Sequence, residues 1–380
     1  MSADPAIADH YVRLNPSNRL RRSPLFDRVR AEGAKAYSVY NRTLISQWFG
    51  TLEEDYHHLK SAVQVWDVGG ERVVEVSGPD AQRLIQMTTP RDLARLKADR
   101  CAYVPMVDPQ GRLLNDPVLT RLGPERFWLA LADSDMFLYL KGLAAGAGLD
   151  VTIFEPDVWI IAIQGPCAYD LAAKVWDDNV RDIGFFQYAH VDVDGRPMVL
   201  ARSGWSIQGG FELHVEGSEF ALPIWERIMA AGREFDVRAG CPNLIERIEA
   251  GLLSYGNDIS VDHTPFEAGL ARFCHLDDVH DCLARDTLKG LQEPTRQIRP
   301  IEISGDRVAP VAQLWTVTDQ HGTPVGKVSS ACWSPEQNTN VAIGMIDRSH
   351  WDAGTELMVH CPDAVRPAHV ATHFWGRQPT

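Results

Sequence analysis

A glycine-rich turn with one carboxylate beside it is the segment of this sequence best suited to bind a flat ligand. The turn runs from Arg202 through Gly204, Gly209 and Gly210 to Glu212. Glycines adopt backbone angles closed to other residues and let a ring approach the main chain closely. A carboxylate beside such a turn can accept two hydrogen bonds from an amidine-like edge, which a pterin offers. An ordinary hairpin with a solvent-facing Glu212 is the alternative interpretation.

Asp116 is a second residue that could do chemistry. It lies between Asn115 and Pro117, in the second strand of a predicted hairpin whose turn is 108–111. A carboxylate among apolar strand residues is costly unless it has a partner or a task. Pro117 limits that strand to an edge or a bulge, where a side chain can be aimed at a cleft. A catalytic carboxylate and a turn or capping acid both fit these residues.

Aromatic residues that could contact a ligand occur in two places. Tyr37, Tyr40 and Arg42 lie within six residues of one another, in either a binding loop or a half-buried strand whose tyrosines pack. Trp205 lies inside the glycine-rich turn. It fits both a ligand site and an ordinary core position.

The elements that must position these residues include an internal repeat. Residues 73–87 predict a strand, a Gly-Pro pair and an amphipathic helix, and residues 160–176 predict the same order 87 positions later. That distance is too long for a solenoid and indicates two similar α+β lobes. After a predicted linker at 294–299, short strands between 298 and 345 predict an all-β unit, a small barrel.

Composition excludes several classes of partner. At 380 residues the chain has room for two or three domains, and its net charge of −14 argues against nucleic acid and anionic membranes as partners. No apolar run is long enough to span a membrane, and the first residues do not form a signal peptide. We therefore expect a cytoplasmic protein.

The cysteines favour reduced thiols over disulfides. There are seven, an odd number, and they are widely scattered along the sequence. No Cys-x-x-Cys pair occurs, so no structural zinc is predicted and we expect no metal cofactor.

Six separated motifs give the chain a family resemblance from about Arg28 to Ile346. It resembles the tetrahydrofolate-dependent aminomethyltransferases, the T-protein of glycine cleavage and its relatives. The motifs are the hairpin at 111–118, Gln164-Gly165-Pro166, 202–212, 246–251, 264–270 and 326–335.

Other segments resemble the branch of the family that demethylates dimethylsulfoniopropionate. They are 65–68, 115–117, Trp205-Ser206, 241–247 and 254–258. The chain departs from that branch at Ile207, where a lysine is expected, and at Arg42-Thr43, where His-Met is expected. It departs from the T-protein at Arg272, where a tryptophan is expected.

The resemblance implies a cloverleaf of two ferredoxin-like lobes and a C-terminal β-barrel, with folate in a central channel. The implied boundaries are an N-terminal arm at 1–26, a folate-binding module at 27–290 and a barrel at 296–380. The implied residues are Asp116 for catalysis, Glu212, Arg247, Tyr103 and Trp205 for tetrahydrofolate, and Tyr37, Tyr40, Arg42 and Trp205 for the substrate.

The implied activity is transfer of a methyl group from dimethylsulfoniopropionate, or a closely related onium donor, to tetrahydrofolate. Its products are 5-methyltetrahydrofolate and methylthiopropionate, and the partners are these small molecules. The alternatives are an enzyme acting on an N-methyl or O-methyl donor and a folate-binding protein without catalysis. A homodimer is compatible with the resemblance.

Overall fold

The structure is a computed structural model that describes residues 14, 15 and 17–376. Residues 1–13 and Pro16 of the predicted arm at 1–26 lie outside the described residues. The α-helices are α1 (Phe26–Ala31), α2 (Leu52–Ser61), α3 (Ala81–Met87), α4 (Met136–Ala147), α5 (Ala168–Val175), α6 (Ser218–Ala231), α7 (Leu244–Ala250) and α8 (Arg285–Lys289). Short 3-10 helices lie at Leu93–Arg95, Asp178–Asp182, Gly232–Phe235, Ala271–Phe273 and Arg348–His350.

The strands of the described residues form two open sheets, a closed barrel and two hairpins. They are β1 (Ala36–Tyr40), β2 (Thr43–Trp48), β3 (Val63–Asp67), β4 (Val73–Ser77), β5 (Cys101–Tyr103), β6 (Met106–Val107), β7 (Leu113–Asn115), β8 (Val118–Gly123), β9 (Arg126–Ala130), β10 (Thr152–Phe154), β11 (Val158–Gln164), β12 (Tyr188–Val193), β13 (Arg196–Ala201), β14 (Gly210–Glu216), β15 (Val237–Gly240), β16 (Arg296–Ile303), β17 (Trp315–Thr318), β18 (Pro324–Ser334), β19 (Thr339–Asp347), β20 (Glu356–His360) and β21 (Val365–Val370).

The predicted repeat is confirmed as two lobes. The first has a five-stranded sheet in the order β10-β4-β9-β8-β5, and the second a six-stranded sheet in the order β12-β13-β14-β11-β3-β15. In each lobe a strand leads through Gly-Pro into a helix, β4 into α3 and β11 into α5. Proline suits the first turn of a helix because its fixed φ is already helical.

The two sheets face each other, and their helices lie on the outside. Trp128 of the first lobe and Trp66, Ile160 and Val199 of the second share one buried cluster between the sheets. The side chains of strand β14 alternate between two faces, as predicted. Phe211 and its apolar neighbours on one face pack in the core beneath α5 and α6. Its other face, with Glu212, therefore points between the lobes.

The predicted C-terminal barrel is also confirmed. It closes in the order β16-β19-β18-β17-β20-β21, around a core that includes Ile301, Val317, Val328 and Leu357. Strand β16 already begins at Arg296, inside the predicted linker. A closed barrel has no free edge strand, which explains why this small sheet is stable.

The structure decides between the two interpretations of one hairpin and corrects the prediction for a second. Tyr37 and Tyr40 lie in strand β1, and Asn41 and Arg42 form its turn with φ of 48° and 62°, so the segment is a strand and not a loop. Strand β7 ends before Asp116, which lies in the break between β7 and β8 and not within a strand. Proline has no N–H for a sheet ladder, so the residue after Asp116 explains that break.

Candidate active site

A cavity of 2320 Å³ opens where the two lobes and the barrel meet. Gln297, Ile298 and Arg299 line it from the barrel side. Six of the eight predicted site residues line it as well, namely Tyr40, Tyr103, Asp116, Trp205, Glu212 and Arg247. The fold thus brings together residues that lie far apart in the sequence.

Asp116 and Tyr103 form a hydrogen-bonded pair in this cavity. The Tyr103 hydroxyl donates to Asp116 Oδ2 at 2.7 Å. Asp116 Oδ1 is buried and has no hydrogen-bond partner among the described residues. Burial raises the pKa of Asp116 to about 7, although the bond from Tyr103 acts in the opposite direction. The carboxyl can therefore exchange a proton near neutral pH.

Glu212 is buried beside a second carboxyl, Glu71. The Ser203 hydroxyl donates to Glu212, and both carboxyls line the cavity. Burial raises the pKa of both groups, and the charge of Glu212 raises that of Glu71 further. Neither forms an ion pair within the described ranges. The solvent-facing alternative for Glu212 is wrong, because the residue is only 6% exposed.

Gln164 holds the glycine-rich turn in place. Its side-chain amide donates to the Ser203 carbonyl oxygen at 3.1 Å, and its Oε1 accepts from the Ser206 hydroxyl at 3.0 Å. Gly210 has a φ of +142°, and a Cβ there would overlap the carbonyl oxygen of Ile163. Only glycine fits this position without strain.

Arg247 is engaged in a buried network. Its guanidinium donates to Asp258 Oδ2 and to the Ser330 hydroxyl, each at 2.6 Å. Asp258 also accepts from Ser329 at 2.6 Å. The network joins α7 to barrel strand β18, so the charge of Arg247 is balanced within the protein.

Tyr37 and Arg42 are not brought into the cavity. The Tyr37 ring packs against Phe26, with ring centroids 5.2 Å apart. Arg42 forms an exposed ion pair with Asp135 at 3.1 Å. Tyr37 and Tyr40 are three residues apart on one strand, so their side chains point to opposite faces, and of the two it is Tyr40 that faces the cavity.

The residues of the cavity wall that the sequence does not predict include Glu71 and Arg91. Glu71 follows the pair Gly69-Gly70, a turn signal that could have drawn attention to it. Arg91 lies in the loop after α3 and gives no comparable signal, because only the tertiary fold brings it to the cavity.

Within the described ranges, no group of three or more histidine, cysteine, aspartate or glutamate side chains is arranged to hold a metal ion. The same part of the chain contains no helix long and apolar enough to cross a membrane.

Family models match both parts of the chain. Residues 25–278 match the GCVT N-terminal domain, and residues 296–375 match the glycine cleavage T-protein C-terminal barrel domain. The chain therefore belongs to the glycine cleavage T-protein family.

Particular relatives extend over nearly the whole chain. It is 49% identical over 360 residues to the dimethylsulfoniopropionate demethylase DmdA of Ruegeria pomeroyi, covering 95% of this chain and 98% of that protein. It is 27% identical over 370 residues to an aminomethyltransferase of Desulfitobacterium hafniense, covering 94% and 99%.

A solved structure shares the fold. The glycine cleavage system aminomethyltransferase T from Bartonella henselae matches with a TM-score of 0.83 at 22% identity, over 94% of this chain and 98% of that one. This similarity confirms the predicted T-protein-like architecture.

Proposed function

We propose that this protein is a tetrahydrofolate-dependent demethylase that takes a methyl group from dimethylsulfoniopropionate or a closely related onium donor. The products are 5-methyltetrahydrofolate and methylthiopropionate. The observation that carries the proposal is the 49% identity, over nearly the full length of both chains, to a dimethylsulfoniopropionate demethylase.

The cavity suits a reduced folate. Its 2320 Å³ leave room for a pterin, its tail and a small donor together. Glu212 is buried and Glu71 partly buried, neither has a cation among the described residues, and an amidine edge with N–H donors would complement them. We assign Glu212 to that edge, and Tyr103, Trp205 and Arg247 to the walls around the folate.

The proposed reaction needs little acid catalysis. As the folate nitrogen bonds to the methyl carbon, the C–S bond breaks and its electron pair leaves with sulfur as a neutral thioether. The nitrogen must then lose its proton. We assign Asp116 to orient that nitrogen and accept the proton, because its pKa is about 7 and its Oδ1 has no partner among the described residues.

Aromatic side chains provide recognition of the cationic donor. A sulfonium group has no hydrogen bond to donate, so it binds to aromatic faces, each contact contributing about 1 kcal/mol or more away from water. Tyr40, Tyr103 and Trp205 line the cavity and are the faces we assign to this role.

Incubation with tetrahydrofolate and dimethylsulfoniopropionate tests the proposal. We expect 5-methyltetrahydrofolate and methylthiopropionate in equal amounts, and neither product when one substrate is left out. Turnover of only N-methyl or O-methyl donors would identify another enzyme of the family. Folate binding without turnover of any donor would indicate a binding protein.

Compartment and assembly form part of the proposal. All seven cysteines are free thiols, which supports a reducing compartment such as the cytoplasm. We also propose that no metal takes part and that the chain is compatible with a homodimer. Metal analysis of the purified protein and light scattering test these two points.

A further inference from the structure

Two arginines of the cavity wall lie beside the same aromatic ring. Arg91 follows α3, and Arg272 lies in the short helix Ala271–Phe273; both line the cavity. Their guanidinium groups lie over the Phe273 ring, 5.1 and 4.7 Å from its centroid. Arginine stacked in this way keeps its N–H donors free at the edges.

Two acids near this pair of arginines are already engaged. Asp92 and Asp278 both pair with Arg95, at 3.0 and 2.7 Å. They therefore leave the two cavity arginines without a carboxylate from that side.

Arg91 and Arg272 hold positive charge that no ion pair among the described residues balances. Arg91 donates to the Tyr103 carbonyl oxygen at 2.5 Å, but in the described part of the chain no carboxylate pairs with either arginine. Burial, and then the charge of Arg272, lower the pKa of Arg91. Two neighbouring cations without an anion repel each other, and a bound carboxylate would relieve that repulsion.

The arginine pair lies close to the proposed reaction centre. The Phe273 and Tyr103 rings have centroids 5.1 Å apart. The Tyr103 hydroxyl in turn donates to Asp116 at 2.7 Å. One aromatic residue, Tyr103, therefore links the ring beneath the arginines to the carboxyl assigned to the reaction.

We propose that Arg91 and Arg272 form a carboxylate subsite, which holds the acid end of the methyl donor while its sulfonium end lies beside Tyr103 and Asp116. The identity of the donor rests on the proposed function. Arginine matches a carboxylate with paired N–H donors. The two arginines thus take the carboxylate-binding role that the resemblance suggested for Arg42, which forms its ion pair outside the cavity. The carboxylates of a folate tail could bind the same arginines, and the experiment below distinguishes the two ligands.

Arg272→Gln tests the subsite with two donors and two acceptors. The donors are dimethylsulfoniopropionate and the carboxylate-free ethyldimethylsulfonium, and the acceptors are tetrahydrofolate and the tail-free 6-methyltetrahydropterin. We expect the KM for dimethylsulfoniopropionate to rise about tenfold, and the preference over the carboxylate-free donor to fall by a similar factor. Arg272→Lys should restore part of the preference. Arg83→Gln, on the exposed face of α3, is the matched control and should change neither.

Each other outcome has a definite meaning. A higher KM for tetrahydrofolate but not for the tetrahydropterin, with donor preference unchanged, would assign the arginines to the folate tail and overturn the proposal. Unchanged constants throughout would also overturn it. If the wild-type protein turns over no sulfonium, the proposed function fails, and calorimetric titration with methylthiopropionate decides on the subsite. Weaker binding by Arg272→Gln supports it, and equal binding overturns it.

Discussion

At the level of single residues, the buried carboxyl of Asp116 is assigned to the reaction but lowers the stability of the folded protein. Its pKa is raised from 3.8 to about 7 in the folded protein, chiefly by burial. The folded state therefore binds this proton more tightly than the unfolded chain. Below about pH 4 the carboxyl is protonated in both the folded and the unfolded state and does not affect stability. As the pH rises from about 4 to about 7, ionisation of this group increasingly lowers the free energy of unfolding, and above about pH 7 the loss is complete.

We expect Asp116→Asn to separate the two effects. Loss of the buried charge should raise the free energy of unfolding at pH 8 by about 1 to 2 kcal/mol, and by less at pH 5. The kcat should fall about 100-fold or more, because the proton acceptor is gone. Urea unfolding at both pH values and steady-state assays measure this. Asp277→Asn, at an exposed position, is the control. Unchanged turnover would remove Asp116 from the reaction.

Glu212→Ala should weaken tetrahydrofolate binding. A charge-assisted hydrogen-bonded pair contributes about 1.5 to 3 kcal/mol, so the Kd should rise roughly 10- to 100-fold. Anaerobic titration measures the Kd directly, and Glu219→Ala, an exposed position in α6, is the matched control. Equal affinity in the two variants would mean that the pterin binds elsewhere.

At the level of elements, the close approach of β11 and β14 depends on one glycine. Gly210 pairs with Gln164 across the two strands, and a Cβ there would overlap the Ile163 carbonyl oxygen. We expect Gly210→Ala to lower the free energy of unfolding by more than about 2 kcal/mol, with loss of folate binding. Gly142→Ala, at an exposed position of α4, has open space and should be neutral or stabilising. Similar denaturation curves for both variants would contradict this steric explanation.

The sequence predicts those elements that carry their own local signals. The Gly-Pro pairs indicate where α3 and α5 begin, and the alternation of β14 indicates which side chains face inward. The turn at Asn41 and Arg42 escapes prediction, because both residues have positive φ without a glycine to indicate it. The place of Arg91 in the cavity wall is not predicted for a different reason, since only packing between distant segments brings it there.

At the level of the whole molecule, a buried ion pair and an apolar cluster both join the lobes to the barrel. The division into a folate module at 27–290 and a barrel at 296–380 stays a prediction. The ion pair of Arg247 and Asp258, with Ser330, crosses from α7 to β18, and Arg247 itself lines the cavity. A buried pair that loses one partner leaves an uncompensated charge, which is strongly destabilising.

Arg247→Gln distinguishes a structural role from folate binding. If Arg247 mainly joins the lobes to the barrel, the free energy of unfolding should fall by about 3 to 5 kcal/mol. Combining Arg247→Gln with Asp258→Asn should restore part of that loss, because both charges are then removed and neither remains buried alone. Denaturation of the single and double variants measures the coupling. A loss of folate affinity with unchanged stability would instead assign the arginine to the ligand, and the apolar contacts of α7 with the barrel would then be what holds this wall of the cavity.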